Sequence, residues 1–446
     1  MITTLIIVFC AGYLLIALEH KIGINKSAVA LLMCGALWAI FGLAGHDPQT
    51  GTQLSGQLSS TCEILVYLIG AMTIVDLIDT HGGFNVITSR IRTRDKRKLL
   101  WLLTLITFFM SAVLDNMTTA IIMIMLLRRI VDDCRERWIF AGLIVVAANS
   151  GGAWSPIGDV TTIMLWMRGN VTAGPLMYGL LLPALVSVAV PTALAARYIN
   201  RDETTAEKPD GASTAAPLPQ GVDTRMSRTI LATGVGGLLF VPLFKELTGL
   251  PPYMGMIIAL GANWLLTEIL YDRKRDMEES IQNRVSKVVK HIDMPTILFF
   301  LGILLAVGAL QSAGILTDMA GWFDRHLHEP YAIAGLIGIL SSVVDNVPLV
   351  AACMGMYPVT DAATAAASAD PAFMQAFVAD GLFWHLLSYC AGVGGSLLII
   401  GSAAGVVAMG LEKIDFGWYL RKITPLALAG YLAGMLAVWL QHLIGW

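Results

Sequence analysis

Charged residues are scarce in this sequence. Asp, Glu, Lys and Arg make up 14% of its 446 residues, and hydrophobic residues make up 56%. Because a soluble domain carries about 25% charge, this composition argues against a water-soluble protein and indicates one that lies in a lipid bilayer. The net charge of −3 points to neither an acidic nor a basic partner, and we expect no nucleic acid to bind.

Motifs for a structural metal, a disulfide framework or a nucleotide are also missing. The six cysteines are scattered and form no Cys-x-x-Cys pair, so neither zinc nor disulfides are predicted. The absence of a phosphate-binding loop argues against a primary pump. We therefore expect no cofactor and no enzymatic reaction. The first 21 residues lack a basic region and a small-residue cleavage site, which favours a first span over a signal peptide.

Apolar runs of about 20 residues recur along the chain, and each can cross a hydrocarbon core of roughly 30 Å. Two further apolar stretches, 100–127 and 330–357, are interrupted by polar residues. The uninterrupted or nearly uninterrupted runs lie at 3–20, 26–45, 61–80, 138–166, 174–196, 229–247, 253–271, 294–313, 382–410 and 423–444.

The positions of lysine and arginine predict the orientation of these spans. If the N-terminus is outside and both interrupted stretches enter and return on one side, the cytoplasmic segments hold 26 of the 29 basic residues. Only Arg168, Lys245 and Arg325 stay outside. We therefore predict a multi-pass inner-membrane protein with two re-entrant hairpins, the first opening inward and the second outward.

The same order of elements occurs twice along the chain. Three pairs of segments correspond: LIGAMTIVDLIDTHGG (68–83) with FLGILLAVGALQSAGI (300–315), SAVLDNMTT (111–119) with SSVVDNVPL (341–349), and NSGGAWSPIGD (149–159) with GVGGSLLIIGS (392–402). Because the members of each pair enter the membrane from opposite sides, they indicate inverted-topology repeats, which are typical of secondary transporters.

The predicted fold is therefore an all-α polytopic membrane protein made of two inverted-topology repeats, each with a re-entrant hairpin and a broken transmembrane helix. Residues 1–199 would form the first repeat with its N-terminal scaffold helices. Residues 200–224, which are polar and rich in Ala, Pro and Thr, would form a cytoplasmic linker. Residues 225–446 would form the second, inverted repeat.

Carboxylates stand where the hairpins and one broken span are interrupted. A carboxylate at membrane depth costs about 2.5–3.5 kcal/mol on insertion scales, so a function or a partner is expected. Asp115 and Asp345 occupy equivalent hairpin turns, whereas Asp159 follows the break at 151–158. Hydroxyls, amide oxygens and carboxylates are hard donors that suit Na⁺ or Li⁺. The alternative for the asparagines beside them is that they cap helices.

We predict an ion-binding and proton-exchange site, with Na⁺ at Asp115, Asn116, Asn149 and Asp159. Asp115 and Asp159 would form the exchanging pair, while Asp345 would lie near Ser396 and Ser402. Glu63 and Asp76 are candidates for an ion path, although Asp76 could equally be a satisfied buried carboxylate. The full predicted set is Asp115, Asn116, Thr118, Thr119, Asn149, Ser150, Ser155, Asp159, Thr161, Thr162, Ser341, Asp345, Asn346, Gly395, Ser396 and Ser402.

Four segments, LDNMTTAIIMIML, ANSGGAWSPIGDVTTIMLW, SSVVDNVPLVAA and GGSLLIIGSAAGVVAMGLEKIDFGWYL, give the chain a resemblance to the NhaD-type sodium/proton antiporters. That family belongs to a superfamily that also holds arsenite and dicarboxylate carriers. The resemblance covers nearly the whole chain. It implies a homodimer with a scaffold part and a moving transport part, and exchange residues at Asp115, Asn116, Asn149, Asp159, Thr161, Thr162, Ser341 and Asn346, with Glu63 contributing.

The predicted function is exchange of Na⁺ or Li⁺ for H⁺ by alternating access in an elevator-like movement. One alternative is an arsenite or carboxylate anion carrier, which would need a positive or hydroxyl-rich pocket, whereas no lysine or arginine is expected within a span. Another is an intramembrane aspartyl protease, but Pro156 stands where its Gly-x-Gly-Asp motif needs the first glycine.

Overall fold

The computed structural model describes residues 1–17, 19–45, 49–85, 93, 95–198, 222–272 and 284–444. Its elements are almost all helices, and an isolated β-bridge joins Thr360 and Val378. The first half contains α1 (Ile2–Ala17), α2 (Glu19–Ile22), α3 (Lys26–Gly45), α4 (Thr50–Thr80), α5 (Lys96–Ser111), α6 (Asn116–Ile130), α7 (Cys134–Ala153), α8 (Val160–Met167) and α9 (Ala173–Tyr198).

The second half contains α10 (Thr224–Thr248), α11 (Pro252–Asp272), α12 (Val285–Val288), α13 (Met294–Ser312), α14 (Ile315–His326), α15 (Pro330–Leu340), α16 (Asn346–Met356), α17 (Ala362–Ala366), α18 (Pro371–Met374), α19 (Leu382–Gly394), α20 (Ala403–Glu412), α21 (Phe416–Lys422) and α22 (Thr424–Leu443). The short helices α17 and α18 lie in the connection between α16 and α19, which the distribution of lysine and arginine predicts to be outside.

Seven of the described helices, α3, α4, α9, α10, α11, α13 and α22, are long and apolar enough to cross a membrane. The chain is therefore a multi-pass membrane protein. Helix α4 extends beyond the predicted span 61–80, because it begins at Thr50 and has a polar first third. Glu63 therefore lies within this helix.

Both interrupted stretches are helical hairpins, and both broken spans are broken helices, as predicted. Helices α5 and α6 meet at the turn 112–115, and α15 and α16 meet at the turn 341–345. Helix α7 is separated from α8 by residues 154–159, and α19 from α20 by residues 395–402. These elements confirm the predicted all-α fold class.

The helices form two groups. Helices α1, α3 and α4 pack with α10, α11 and α13 into one group, which we call the scaffold. The hairpins, the broken helices, α9 and α22 form the other, which we call the transport part. Helix α16 packs on α13, so the second hairpin lies against the scaffold.

The two broken helices run antiparallel. The start of α7 lies at the end of α20, where Arg137 Nε is 2.9 Å from Glu412 Oε2. The start of α19 follows Asp380, whose N–H donates to the Asn170 carbonyl just beyond α8 at 2.9 Å. An inverted relation between the halves requires this arrangement. The direction of each half across a membrane stays a prediction.

The scaffold helices carry a repeat that the sequence analysis missed. Gly23, after α2, and Gly249, after α10, both have left-handed backbones, with φ values of 71° and 70°. Shifting the numbering by the same 226 positions aligns GALW (35–38) with GANW (261–264). Glycine suits both turns, because a side chain would strain this backbone.

Several predicted segments lie wholly or partly outside the described residues. They include most of the linker 200–224, so the predicted division into 1–199, 200–224 and 225–446 stays a prediction. Parts of the cytoplasmic segments 90–98 and 273–290 also lie outside.

Candidate functional site

Each hairpin turn packs against the break of one broken helix, and the two halves do this in the same way. Ser111 Oγ donates to the Ala148 carbonyl at 2.6 Å, and Ser341 Oγ donates to the Ala391 carbonyl at 2.7 Å. A Cβ on Gly158 would lie 2.6 Å from the Ser111 carbonyl oxygen. A Cβ on Gly401 would lie 2.6 Å from the Ser342 carbonyl oxygen. Glycine at both breaks therefore lets two backbones approach closely.

Four half-helices begin in this region, and a side chain of the protein caps each of them. Asp115 accepts a hydrogen bond from the Thr118 N–H at 2.8 Å and thereby caps α6. The other three caps are Asp159 on α8, Asp345 on α16 and Ser402 on α20. Because a helix N-terminus attracts negative charge, carboxylates of the chain itself occupy three of these four ends.

Asp159 lies at the centre of the site, with only 2% of its surface exposed. Its Oδ2 accepts hydrogen bonds from Asn116 Nδ2 at 3.1 Å and from Asn346 Nδ2 at 3.2 Å. Its Oδ1 accepts from the Thr161 N–H at 3.2 Å. The amides at both hairpin turns thus converge on one carboxylate oxygen.

Asn149 joins this carboxylate to the second broken helix. Its Oδ1 accepts from Asn116 Nδ2 at 3.1 Å, and its Nδ2 donates to Ser402 Oγ at 2.8 Å. Asn149 is fully buried. The structure therefore places three of the four predicted Na⁺ ligands, Asn116, Asn149 and Asp159, in one connected group.

A cavity of about 740 Å³ opens beside this group. Asp159, Asn116, Asn346 and Ser402 line one wall, and scaffold residues from 13–27 and 293–300 line the other. The lining of the cavity also contains the carboxylates of Glu19, Asp293 and Asp345 and the ammonium of Lys26. Acidic groups therefore outnumber basic groups on this lining.

Asp115 and Asp345 differ in their position relative to the cavity, and the exchanging pair of Asp115 and Asp159 stays a prediction. Asp345 lines the cavity together with Asp159, whereas Asp115 is not among the described residues of its lining. Asp115 instead accepts from the Thr118 N–H and hydroxyl, at 2.8 and 2.6 Å. Sequence alone could not distinguish these two residues, because they occupy equivalent positions in the repeats.

Of the two predicted neighbours of Asp345, Ser402 lines the same cavity. Ser396, in the break after α19, donates its Oγ–H to the Val393 carbonyl, and its proximity to Asp345 stays a prediction. The charged neighbour of Asp345 is Lys26, whose Nζ lies 3.7 Å from Asp345 Oδ2. Lys26, the first residue of α3, therefore reaches the cavity from the end of its helix.

The remaining predicted residues surround the site without lining the cavity. Thr162 Oγ1 donates to the Asp159 carbonyl at 2.8 Å and completes the cap of α8. Ser150 Oγ accepts from Ser187 Oγ at 2.9 Å. Five further predicted residues are buried: Thr119, Ser155, Thr161, Ser341 and Ser396. Thr118 is half-buried and donates its hydroxyl to Asp115. A Cβ added to Gly395 would lie 3.1 Å from the Gly401 carbonyl oxygen.

Glu63 and Asp76 are not brought to this site. Neither belongs to the described lining of the cavity, and both lie on α4 in the scaffold. The structure therefore gives no contact between either residue and Asp159, and their role in an ion path stays a prediction.

The match to known proteins is extensive. The family model described as "Citrate transporter" matches residues 13–379. "Sodium/proton antiporter 2" of Arabidopsis thaliana is 40% identical over 439 residues, which cover 98% of this chain and 99% of that protein. "Sodium/proton antiporter 1" of the same plant is 41% identical and covers 98% of this chain and 72% of the relative.

Bacterial relatives and a solved structure agree with these matches. The "Na(+)/H(+) antiporter NhaD" of Vibrio cholerae serotype O1 is 29% identical, over 96% of this chain and 90% of that protein. The YdaH transporter of Alcanivorax borkumensis shares the fold, with a TM-score of 0.61, 12% identity and coverage of 95% and 99% of the two chains. The protein is thus a polytopic membrane transporter of the family described as "Citrate transporter". Within it, the chain belongs to the NhaD-type sodium/proton antiporter family.

Proposed function

We propose that this protein exchanges Na⁺ or Li⁺ for H⁺ across the cytoplasmic membrane. The proposal rests on one observation: the side chains of Asp115, Asp159 and Asp345 cap the N-termini of three half-helices. An anion carrier would need such helix ends for its substrate. Here they hold carboxylates, whose remaining oxygens can bind a cation or a proton.

The ligands for a desolvated cation come from both halves. Asp159 would supply a carboxylate oxygen, and Asn116 and Asn346 stand beside it at 3.1 and 3.2 Å. A half-turn of each side-chain amide would replace its N–H₂ with its carbonyl oxygen. Hard oxygen donors of this kind suit Na⁺ and Li⁺. Loss of the cation would allow a proton to take its place on the same carboxylate, which gives antiport by mutual exclusion.

Alternating access would follow from the division into scaffold and transport part. The cavity reaches segments 19–27 and 293–296, which the distribution of lysine and arginine assigns to the cytoplasmic side. We therefore propose that the described conformation faces inward. An elevator-like shift of the transport part along the scaffold would close this cavity and open the site outward. Assembly as a homodimer, with the scaffold as the stationary part, belongs to the same proposal.

The anion-carrier alternative is disfavoured by the charge of the cavity. Glu19, Asp159, Asp293 and Asp345 line the cavity together with Lys26. A carboxylate substrate would meet repulsion from these groups, since like charges at short distance disfavour each other.

The test is proton movement in everted membrane vesicles from cells that lack their own sodium/proton antiporters. We expect dequenching of a pH-sensitive dye on addition of Na⁺ or Li⁺, and no response to potassium citrate. Asp159→Asn should abolish the response, because an amide cannot exchange a proton, while asparagine still caps α8 as well as aspartate does. Asp132→Asn, at an exposed residue between α6 and α7, is the matched control and should respond like the wild type. Normal exchange by Asp159→Asn, or a response to citrate alone, would overturn the proposal.

A further inference from the structure

Lys26 is the lysine among the described residues that line the cavity, and it comes from the scaffold. Its Nζ lies 3.7 Å from Asp345 Oδ2, which belongs to the transport part. The ammonium also lies 4.4 Å from the centre of the Phe299 ring on α13. Three cavity-lining carboxylates, those of Glu19, Asp293 and Asp345, surround this end of α3.

The hydrogen bonds of these acids show which of them is available to Lys26. Glu19 Oε1 accepts from the Lys26 backbone N–H at 3.1 Å. Asp293 accepts from the Thr296 N–H and hydroxyl and so caps α13. Asp345 accepts from the Val347 N–H through Oδ1, and its Oδ2 faces the Lys26 ammonium. The pair therefore joins scaffold and transport part through one carboxylate oxygen.

We propose that the Lys26 ammonium is a tethered counter-ion of Asp345 that competes with the transported cation on the cavity side. This proposal rests on the proposed cation exchange. When no cation is bound, Lys26 neutralises Asp345 and stabilises the described conformation. A cation that enters the cavity must share or displace this charge, so Lys26 lowers the apparent affinity from that side.

Two observations support a competing role over a merely structural ion pair. The side chains of Lys26 and Asp345 are 29% and 23% exposed, so water and ions in the cavity reach both. Lys26 also stands on the opposite part of the molecule from Asp345, so the pair must separate if the parts slide past each other. A contact that exists in one conformation only biases the equilibrium between conformations.

The repeat in the scaffold makes this counter-ion one-sided. The register that aligns Gly23 with Gly249 and GALW with GANW places Pro252 at the position of Lys26. Proline has no charge, so the equivalent place in the second half cannot supply an ammonium to Asp115. We therefore expect Lys26 to compete directly with the cation on the cavity side, and to affect the opposite side only through the equilibrium between the two conformations.

The experiment measures half-saturating Na⁺ for proton movement in everted and in right-side-out vesicles at one pH. Lys26→Gln should lower the half-saturating concentration roughly three- to fivefold from the cavity side, which is the upper range for a partly exposed ion pair. Lys26→Arg should stay near the wild type. Lys290→Gln, which removes an exposed lysine from the same predicted side, controls for the loss of surface charge.

The same substitution in an Asp345→Asn protein tests whether the effect of Lys26 acts through Asp345. In Asp345→Asn, Lys26→Gln should cause no further change, because its partner carboxylate is gone. Na⁺-dependent thermal stabilisation of the purified variants gives the same comparison if a variant does not transport. The proposed counter-ion role of Lys26 would be refuted if Lys26→Gln left the Na⁺ affinity unchanged. It would also be refuted if Lys26→Gln shifted the affinity equally in the Asp345→Asn background. Absence of Na⁺-dependent proton movement in the wild type would instead refute the proposed function.

Discussion

Replacing the two asparagines at the hairpin turns tests whether both halves build one site. Asn116 Nδ2 and Asn346 Nδ2 donate to the same oxygen, Asp159 Oδ2. In the proposed cation-bound state each amide turns its carbonyl oxygen toward Na⁺, so its removal deletes one polar contact to a charge, and a contact of this kind contributes about 1.5–3 kcal/mol. Loss of one amide should therefore raise half-saturating Na⁺ by roughly 10- to 100-fold. Asn116→Ala should have the larger effect, because Asn116 also donates to Asn149 Oδ1 at 3.1 Å.

The assay is the Na⁺ dependence of proton movement in everted vesicles, with the thermal stability of each purified variant measured in parallel. Asn263→Ala is the matched control, because Asn263 is also buried but bonds to the Ala259 carbonyl in the scaffold at 2.8 Å. It should lose stability and keep its Na⁺ dependence. In the double variant the two site effects should not add, since they share one acceptor. A folded Asn346→Ala protein with wild-type Na⁺ dependence would refute a site shared between the halves.

Three further predictions concern stability and the external loop. Glu412→Gln should lower the free energy of unfolding by about 3–5 kcal/mol, measured by thermal unfolding, because Glu412 is 3% exposed and binds two arginines. Glu136→Gln, at a more exposed ion pair, is the control and should lower it by about 1 kcal/mol or less. Gly158→Ala should cost about 1–3 kcal/mol by overpacking, measured in the same way, and should abolish exchange. Asp370 accepts a hydrogen bond from the protonated His328 ring and raises the pKa of that ring. Their contact should therefore persist between the lowered pKa of Asp370 and the raised pKa of His328, and be lost as the pH rises through the latter. An NMR titration of the ring that shows no upward shift of the pKa relative to Asp370→Asn would contradict this.

Hairpins and broken helices could be predicted from the sequence because their signals are local. Glycine, proline and Asp-Asn pairs interrupt apolar runs, and each interruption occurs twice in the same order. A backbone that leaves its helix at membrane depth needs protein or water around it, so the interruptions also had to meet at an internal site. The convergence of Asn116 and Asn346 on Asp159 bears this out geometrically.

The orientation of individual side chains could not be predicted in this way. Asp115 and Asp345 are equivalent in sequence, and only the position of the transport part against the scaffold decides which of them faces a cavity. Lys26 was assigned to a cytoplasmic boundary by its charge, although its long side chain reaches Asp345 from there. A residue at the end of a span can thus belong to the site while its backbone lies at the interface.

The four half-helix N-termini form a framework whose preference for ions of either charge would depend on what caps them. Unfilled, these ends would attract an anion through their unpaired N–H groups and their dipoles. In this chain Asp115, Asp159 and Asp345 already satisfy three of them, and Ser402 satisfies the fourth. The dipoles therefore stabilise the carboxylates of the protein instead of a substrate anion. A carboxylate held in this way would keep its outward oxygen for a cation, so under the proposed function the choice of capping residue would turn this framework into a cation site.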